Sequence, residues 1–207
     1  MIINREDAEN ILSDLKKRLL DIPFSSMLEV IDLLDTDDWS LTIKTHAIIE
    51  SIITLAILSK EKNQHIKETI KLLPLHGGTS SKSDLAVKLG LLTKEQKKFL
   101  VNLSEIRNKM SHDREHINSD LKPYFDKMDT NKLKQWKGNA LWFCSKNERA
   151  SQKFSVIFDE IPTIAIAISA AILVAHIELR RIEEEASDEI EFATSKTINQ
   201  ILEGSLR

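Results

Sequence analysis

An all-α helical bundle is the fold class this sequence predicts, and three observations predict it. Glycine (5) and proline (4) are scarce in 207 residues, while Leu, Ile, Glu, Lys and Ala fill long stretches and favour helix over sheet. Apolar side chains recur at three- and four-residue spacing, the period of one helix face. No convincing strand, internal repeat or low-complexity linker interrupts the pattern. At 42% apolar content the chain can bury a real core. One domain is expected over residues 1–182, followed at 183–207 by an acidic, then amphipathic tail that docks loosely as a helix.

The elements follow in order. A first helix is expected over about 5–20, with Asn4 as cap and Ala8, Ile11, Leu12, Leu15 and Leu19 in one stripe. Pro23 in "DIPF" ends it. Ser26 and Glu29 have capping-box spacing and open a short helix to about residue 34. After "DTDD", Asp38 or Ser40 caps a long helix to about Lys60 that bears Ile43, Ala47, Ile48, Ile52, Leu55 and Ala56. Another helix covers about 63–73. Pro74, Gly77 and Gly78 make "LPLHGGTSSKSD" (73–84) the clearest loop. Its glycine pair follows no strand and lacks a lysine-serine ending, so it does not read as a phosphate-binding loop. A helix over about 82–89 stops at Gly90. Thr93 and Gln96 form a second capping box, which opens a helix through "KEQKKFLVNLSEIRNKMSH".

Residues 118–155 read as irregular. Asp159 then caps an apolar helix with Pro162 near its first turn. Its stretch "IPTIAIAISAAILVA" (161–175) spans about 22 Å as a helix, short of a hydrocarbon core of about 30 Å. It is expected to be buried at the centre of the bundle or at a dimer interface, and not to cross a membrane.

Net charge is −3, which excludes a globally basic nucleic-acid binder and makes any contact with a polyanion local. Cys144 is the single cysteine, so one chain holds neither a disulfide framework nor a cysteine-rich metal site. The first residues, "MIINREDAEN", lack an apolar signal core, and a reducing cytoplasm is the expected setting.

The stretch "EIRNKMSHD" (105–113) raises the functional question. On a helical wheel Phe99, Leu103, Ile106 and Met110 fall in a narrow arc and form the core stripe, with Arg107 on its flank. Val101, Glu105, Asn108 and His112 fall on a nearly opposite arc. Arg107 and His112 are five positions apart, about 140° on the wheel, and are not neighbours as an i, i+4 pair would be. They meet only if the helix end turns back, or if a two-fold axis pairs this helix from two chains. The plain alternative stays open: the helix macrodipole favours a histidine near a C-terminus, and an arginine beside a core stripe snorkels.

The order of features resembles the HEPN superfamily, and within it the mannitol operon repressor-like (MltR-like) group. The resemblance covers about residues 38–180. It rests on the apolar helix "THAIIESIITLAI" (45–57), on "KSDLAVKLGLL" (82–92), on the Arg-x4-His stretch "IRNKMSH" and on the late apolar helix. It implies an α-bundle that dimerises through the motif-bearing helices, with no cofactor. Many members are metal-independent endoribonucleases, often toxins or defence effectors, and others are non-catalytic regulators or binding modules. Arg107, Asn108 and His112 match the motif. Glu50 stands where members often carry a polar or acidic residue. Glu105 and His116 are further supporting candidates.

Metal-free RNA cleavage needs a base for the 2′-OH proton, a cation for charge building on the phosphoryl oxygens, and an acid for the leaving 5′-oxygen. Imidazole serves as base or acid near neutral pH, and guanidinium offers a fixed fork of donors to phosphate. Asn108 would fix the imidazole or bond a phosphate oxygen. One histidine cannot fill both proton roles in a concerted step, and a homodimer supplies the second. His112 and His116 are i, i+4, but no third ligand is near, so no metal site is expected. Residues 81–118 carry eight Lys/Arg against five Asp/Glu, and 126–153 carry seven against three, so local RNA contact is compatible with the charge. Lys109, Arg114, Trp136, Lys137 and Trp142 are the candidate RNA contacts, the tryptophans either stacking on bases or anchoring a long loop on the bundle. The rival expectation is a non-catalytic regulatory or protein-interaction module. A toxin held by an antitoxin partner is a variant of the first. No helix-turn-helix with a basic recognition face is present to support direct transcriptional control.

Overall fold

The computed structural model describes residues 25–61, 63–77, 80–112 and 120–205, with side chains described to Lys196. The helix expected over 5–20 lies outside them. The fold is an all-α bundle, and no strand occurs among the described residues. In chain order the helices are α1 (Ser25–Asp32), α2 (Asp38–Lys60), α3 (Gln64–Leu72), α4 (Lys82–Lys88), α5 (Lys94–His112), α6 (Leu121–Asp126), α7 (Thr130–Ala140), α8 (Glu148–Glu160) and α9 (Pro162–Ser205). Short 3₁₀ turns follow α1 (Leu33–Asp35) and α7 (Trp142–Cys144).

Caps explain most boundaries. Thr93 and Gln96 make the reciprocal box: the Thr93 N–H donates to Gln96 Oε1 at 2.7 Å and the Gln96 N–H to Thr93 Oγ1 at 3.2 Å. The α2 cap is Asp37, which accepts from the Ser40 N–H at 2.8 Å, and not Asp38 or Ser40 as the sequence suggested. Asp38 does other work. Its carboxylate accepts the Leu121 N–H at 2.6 Å and the Thr163 hydroxyl at 2.7 Å, which ties the starts of α6 and α9 to the start of α2. Ser26 likewise donates across the bundle to Glu178 at 2.7 Å.

Gly90 ends the α4 turn with φ +73°, and nothing lies within 4 Å of where a Cβ would stand. Gly90→Ala therefore meets only the left-handed backbone penalty, roughly 1–2 kcal/mol. A urea titration should show that loss with an unchanged slope, and an unshifted midpoint would contradict it.

The reading of 118–155 as irregular is corrected by α6, α7 and α8. Asp129 accepts from Asn131 and Lys132, and Asn147 from Ala150, so side-chain caps start α7 and α8. These helices are short, and Gly138 inside α7 obscures its period. Asp159 falls inside α8 instead of capping the apolar helix.

That helix, α9, is one run of 44 residues that continues through position 183 without a break. Its first half lies against α1, α2 and α8, while α2 packs on α5 and α5 on α7. Ile49, Ile53, Ile57, Leu100, Leu103, Ile166, Leu173 and Ile177 are buried where these helices meet. Two helices, Asp38–Lys60 and Pro162–Lys196, are long and apolar enough to cross a membrane by length and composition, and 50% and 61% of their apolar windows are buried inside the bundle.

Candidate functional site on α5

The sequence of α5 divides it into two faces, and packing follows the division. Phe99, Leu103, Ile106 and Met110 are buried, as their spacing predicts. Glu105, Asn108, Lys109 and His112 are exposed. The last turn is held from outside the helix: Trp39 Nε1 donates to the Met110 carbonyl at 3.0 Å, satisfying one of the acceptors a helix end leaves over.

Arg107 is half-buried on the flank of the core stripe, and its Nη1 donates to Asn108 Oδ1 at 3.0 Å. His112 is the final residue of α5 and exposed. Five positions on one regular helix separate the two by about 140° and about 7.5 Å of rise, so a single chain does not gather them into one site. His116 and Arg114 lie outside the described residues.

Beneath Arg107 the structure reveals a buried group the sequence reading had passed over. His46, on α2, is 7% exposed, and its Nε2 sits 3.1 Å from Ser104 Oγ on α5. Burial lowers its pKa below the ordinary value near 6.5, the positive charge of Arg107 lowers it further, and Glu50 opposes them. The signal was available: His46 stands one turn before Glu50 on α2, inside an otherwise apolar run.

A lowered histidine pKa has a definite sign for stability. The unfolded chain takes up the proton first, so stability falls as pH drops below about 6.5 and levels off below the folded value. The slope in that window is at most about 1.4 kcal/mol per pH unit for one group. His176, lowered first by burial and then by Arg180, adds a slope of the same sign. Denaturant midpoints across pH 5–8 should therefore rise with pH, and His46→Gln should remove part of that rise. A variant with an unchanged slope would exclude His46 as a contributor.

The other site candidates fall into different surroundings. The Glu50 carboxylate receives Lys82 Nζ at 2.8 Å, and Lys82 is 5% exposed, so this pair clamps α4 onto α2. Lys109 Nζ lies 5.1 Å above the centroid of the Tyr124 ring. Lys137 is ion-paired with Asp159. Of the two expectations for Trp136, packing agrees with anchoring on the bundle and not with stacking on bases: it is 2% exposed, with its ring among Phe99, Phe125 and Phe158. It was expected on a loop and sits on the inner face of α7, where aromatic packing claims it. Trp142 is half-buried, with ring contacts to Phe143 and His176. Cys144 is buried, and burial raises its thiol pKa, so it is a poor nucleophile.

Two hollows flank α5. One, of about 180 Å³, opens between α5 and α7 and is lined by Lys98, Val101, Asn102, Glu105, Lys132, Gln135, Trp136 and Asn139. A larger groove of about 500 Å³ lies on the other side, with Lys88, Lys94, Lys97 and His76 among its walls. Lys98 and Val101 belong to both. Sequence reasoning missed the first because Lys132, Gln135, Trp136 and Asn139 share a face only once α7 is recognised as a helix.

The structure thus defines an α-helical bundle with a polar, partly exposed helix end as its candidate site. Comparisons with known proteins add no relative: no protein family, curated protein or solved structure matches this chain.

Proposed function

We propose that this chain is a HEPN-like, metal-independent endoribonuclease of the mannitol operon repressor-like group, working as a cytoplasmic homodimer. One observation carries the reading. The helix with the Arg-x4-His spacing presents a bonded Arg107–Asn108 pair and an exposed His112 on an end that Trp39 holds in place. Two such ends related by a two-fold axis supply two imidazoles and two guanidinium groups to one cleft.

In that cleft one His112 takes the proton from the ribose 2′-OH, and the freed oxygen attacks the adjacent phosphorus. Arg107 meets the charge building on the phosphoryl oxygens through its fork of donors. Asn108 holds Arg107 in orientation. The partner's His112 returns a proton to the departing 5′-oxygen, which leaves a 2′,3′-cyclic phosphate. The neutral His46–Ser104 pair lies behind Arg107 without adding a second positive charge.

A second reading, a non-catalytic regulatory or interaction module, is favoured by the half-burial of Arg107 and its bond to a neighbour on its own helix, as a helix-locking residue would show. The test is incubation of purified protein with mixed RNA in EDTA. Fragments with cyclic-phosphate ends are expected, and they should vanish for His112→Ala. If wild type gives no cleavage under varied conditions and no growth arrest on expression, the module reading replaces this one. If His112→Ala becomes a monomer, the cluster is structural. A small antitoxin-like protein that co-purifies and blocks cleavage would mark the enzyme as a restrained toxin.

A further inference from the structure

The groove of about 500 Å³ between α4 and α5 concentrates positive charge on a chain whose net charge is −3. Lys88, Lys94, Lys97 and Lys98 line it together with a single carboxylate, Asp84. Lys97 pairs with Asp84, and the Ser81 hydroxyl donates to the same carboxylate at 2.6 Å, so the acid is already matched within the fold. Lys88, Lys94 and Lys98 are exposed, and none of them pairs with a carboxylate among the described residues. Lys94 stands in the first turn of α5, where the helix dipole is itself positive, so the fold gains nothing from a cation there. Three cations without partners of their own on one concave surface describe a place for a polyanion.

The position of the groove on α5 narrows the choice of polyanion. Lys97, Val101 and Asn108 fall within about 40° on the helical wheel, and Asn108 accepts from Arg107. Groove and candidate cleavage site thus share one edge of one helix, with about 16 Å of rise from Lys97 to Asn108. A few nucleotides of an extended strand cover that distance. Glu105, the exposed acid on the stretch between them, lies about 60° round from Asn108 toward α7 and lines the other hollow, so the lysine edge stays open to phosphates. Val87 and Val101 are half-buried in the groove and give apolar surface to a ribose or a base. No Trp, Tyr or Phe is among the residues that line it, so stacking does not select the sequence.

We propose that this groove is the track that holds the phosphate backbone of single-stranded RNA a few nucleotides from the cleavage point, with Lys88, Lys94 and Lys98 as its contacts. The inference rests on the nuclease reading above and deepens it. Each lysine meets a phosphate as a compact point charge and displaces its counterions. The track sets the position of the strand and reads no base. Lys97 keeps Asp84 matched and holds α4 beside α5, which fixes the width of the groove.

The test needs no cleavage. Fluorescence anisotropy with a labelled 2′-O-methyl RNA of mixed sequence, which has no free 2′-OH to attack its own phosphates, reads binding across a series of salt concentrations. The triple variant Lys88→Gln, Lys94→Gln, Lys98→Gln is compared with Lys134→Gln, Lys146→Gln, Lys153→Gln, which removes the same charge from exposed lysines elsewhere. Each phosphate contact on a single strand contributes about 0.7 to the slope of log affinity against log salt, so the groove variant should lose about 2 from that slope and bind about tenfold or more weakly near 0.1 M salt. The control variant should stay close to wild type. Wild type that does not bind, equal losses in the two variants, or an unchanged groove variant overturns the proposal. So does a polyglutamate of matching charge that competes as well as unlabelled RNA, since the groove would then suit an acidic protein. Cleavage of ordinary RNA by a protein whose groove variant binds normally sinks the track and spares the nuclease. Groove-dependent binding in a protein that cuts no RNA sinks the nuclease and leaves an RNA-binding surface.

Discussion

His112→Ala is expected to lower RNA cleavage by about 10²–10⁴-fold, the usual worth of a positioned proton-transfer group. The substitution separates chemistry from folding. His112 is exposed and ends its helix, so its removal empties no packed space, and the stability change should stay within about 0.5 kcal/mol. Single-turnover cleavage of a short labelled RNA, with the denaturant midpoint measured on the same sample, reads both quantities. An activity loss without a stability loss supports the proton-transfer role. Unchanged cleavage would remove His112 from the mechanism, and a large fall in stability would show that it holds structure instead. Arg107→Lys is the companion: it keeps the charge and loses the planar fork, so activity should fall although a positive charge remains.

The second large effect is on the core. Trp136→Ala is expected to cost about 3–5 kcal/mol, the range for truncating a buried large aromatic. The ring centroid of Trp136 lies 5.0 Å from Phe125, 5.9 Å from Phe158 and 6.5 Å from Phe99. These residues come from α7, α6, α8 and α5, so one side chain joins four helices. Trp136→Phe should lose less, because it keeps an aromatic ring in the cluster and removes the indole N–H. Guanidinium titration of the three proteins orders them, and a loss under about 1 kcal/mol for the alanine variant would show that this cluster contributes little to the fold.

Much of the bundle was legible because helix period and cap chemistry are local. The Phe99–Met110 stripe, the Thr93–Gln96 box, the Gly90 stop and the long α2 all follow from neighbouring residues. What escaped reading depends on distant partners. Asp38 looks like a cap by position, yet the N–H of Leu121 and the hydroxyl of Thr163 claim its oxygens. Trp136 looks like a stacking platform in a basic stretch, but three rings from other helices enclose it. The same holds at the candidate site. The exposed face of α5 could be read from its wheel, whereas His46 against Ser104 needed the packing of α2 on α5.

Two adjacent residues, Asp38 and Trp39, grip the chain on both sides of 113–119: Trp39 at the Met110 carbonyl and Asp38 at the Leu121 N–H. Neighbouring positions at the start of α2 therefore hold the last turn of α5 and the start of α6 to one place. A change that shifts the first turn of α2 moves both together and carries the Arg107–Asn108 pair along.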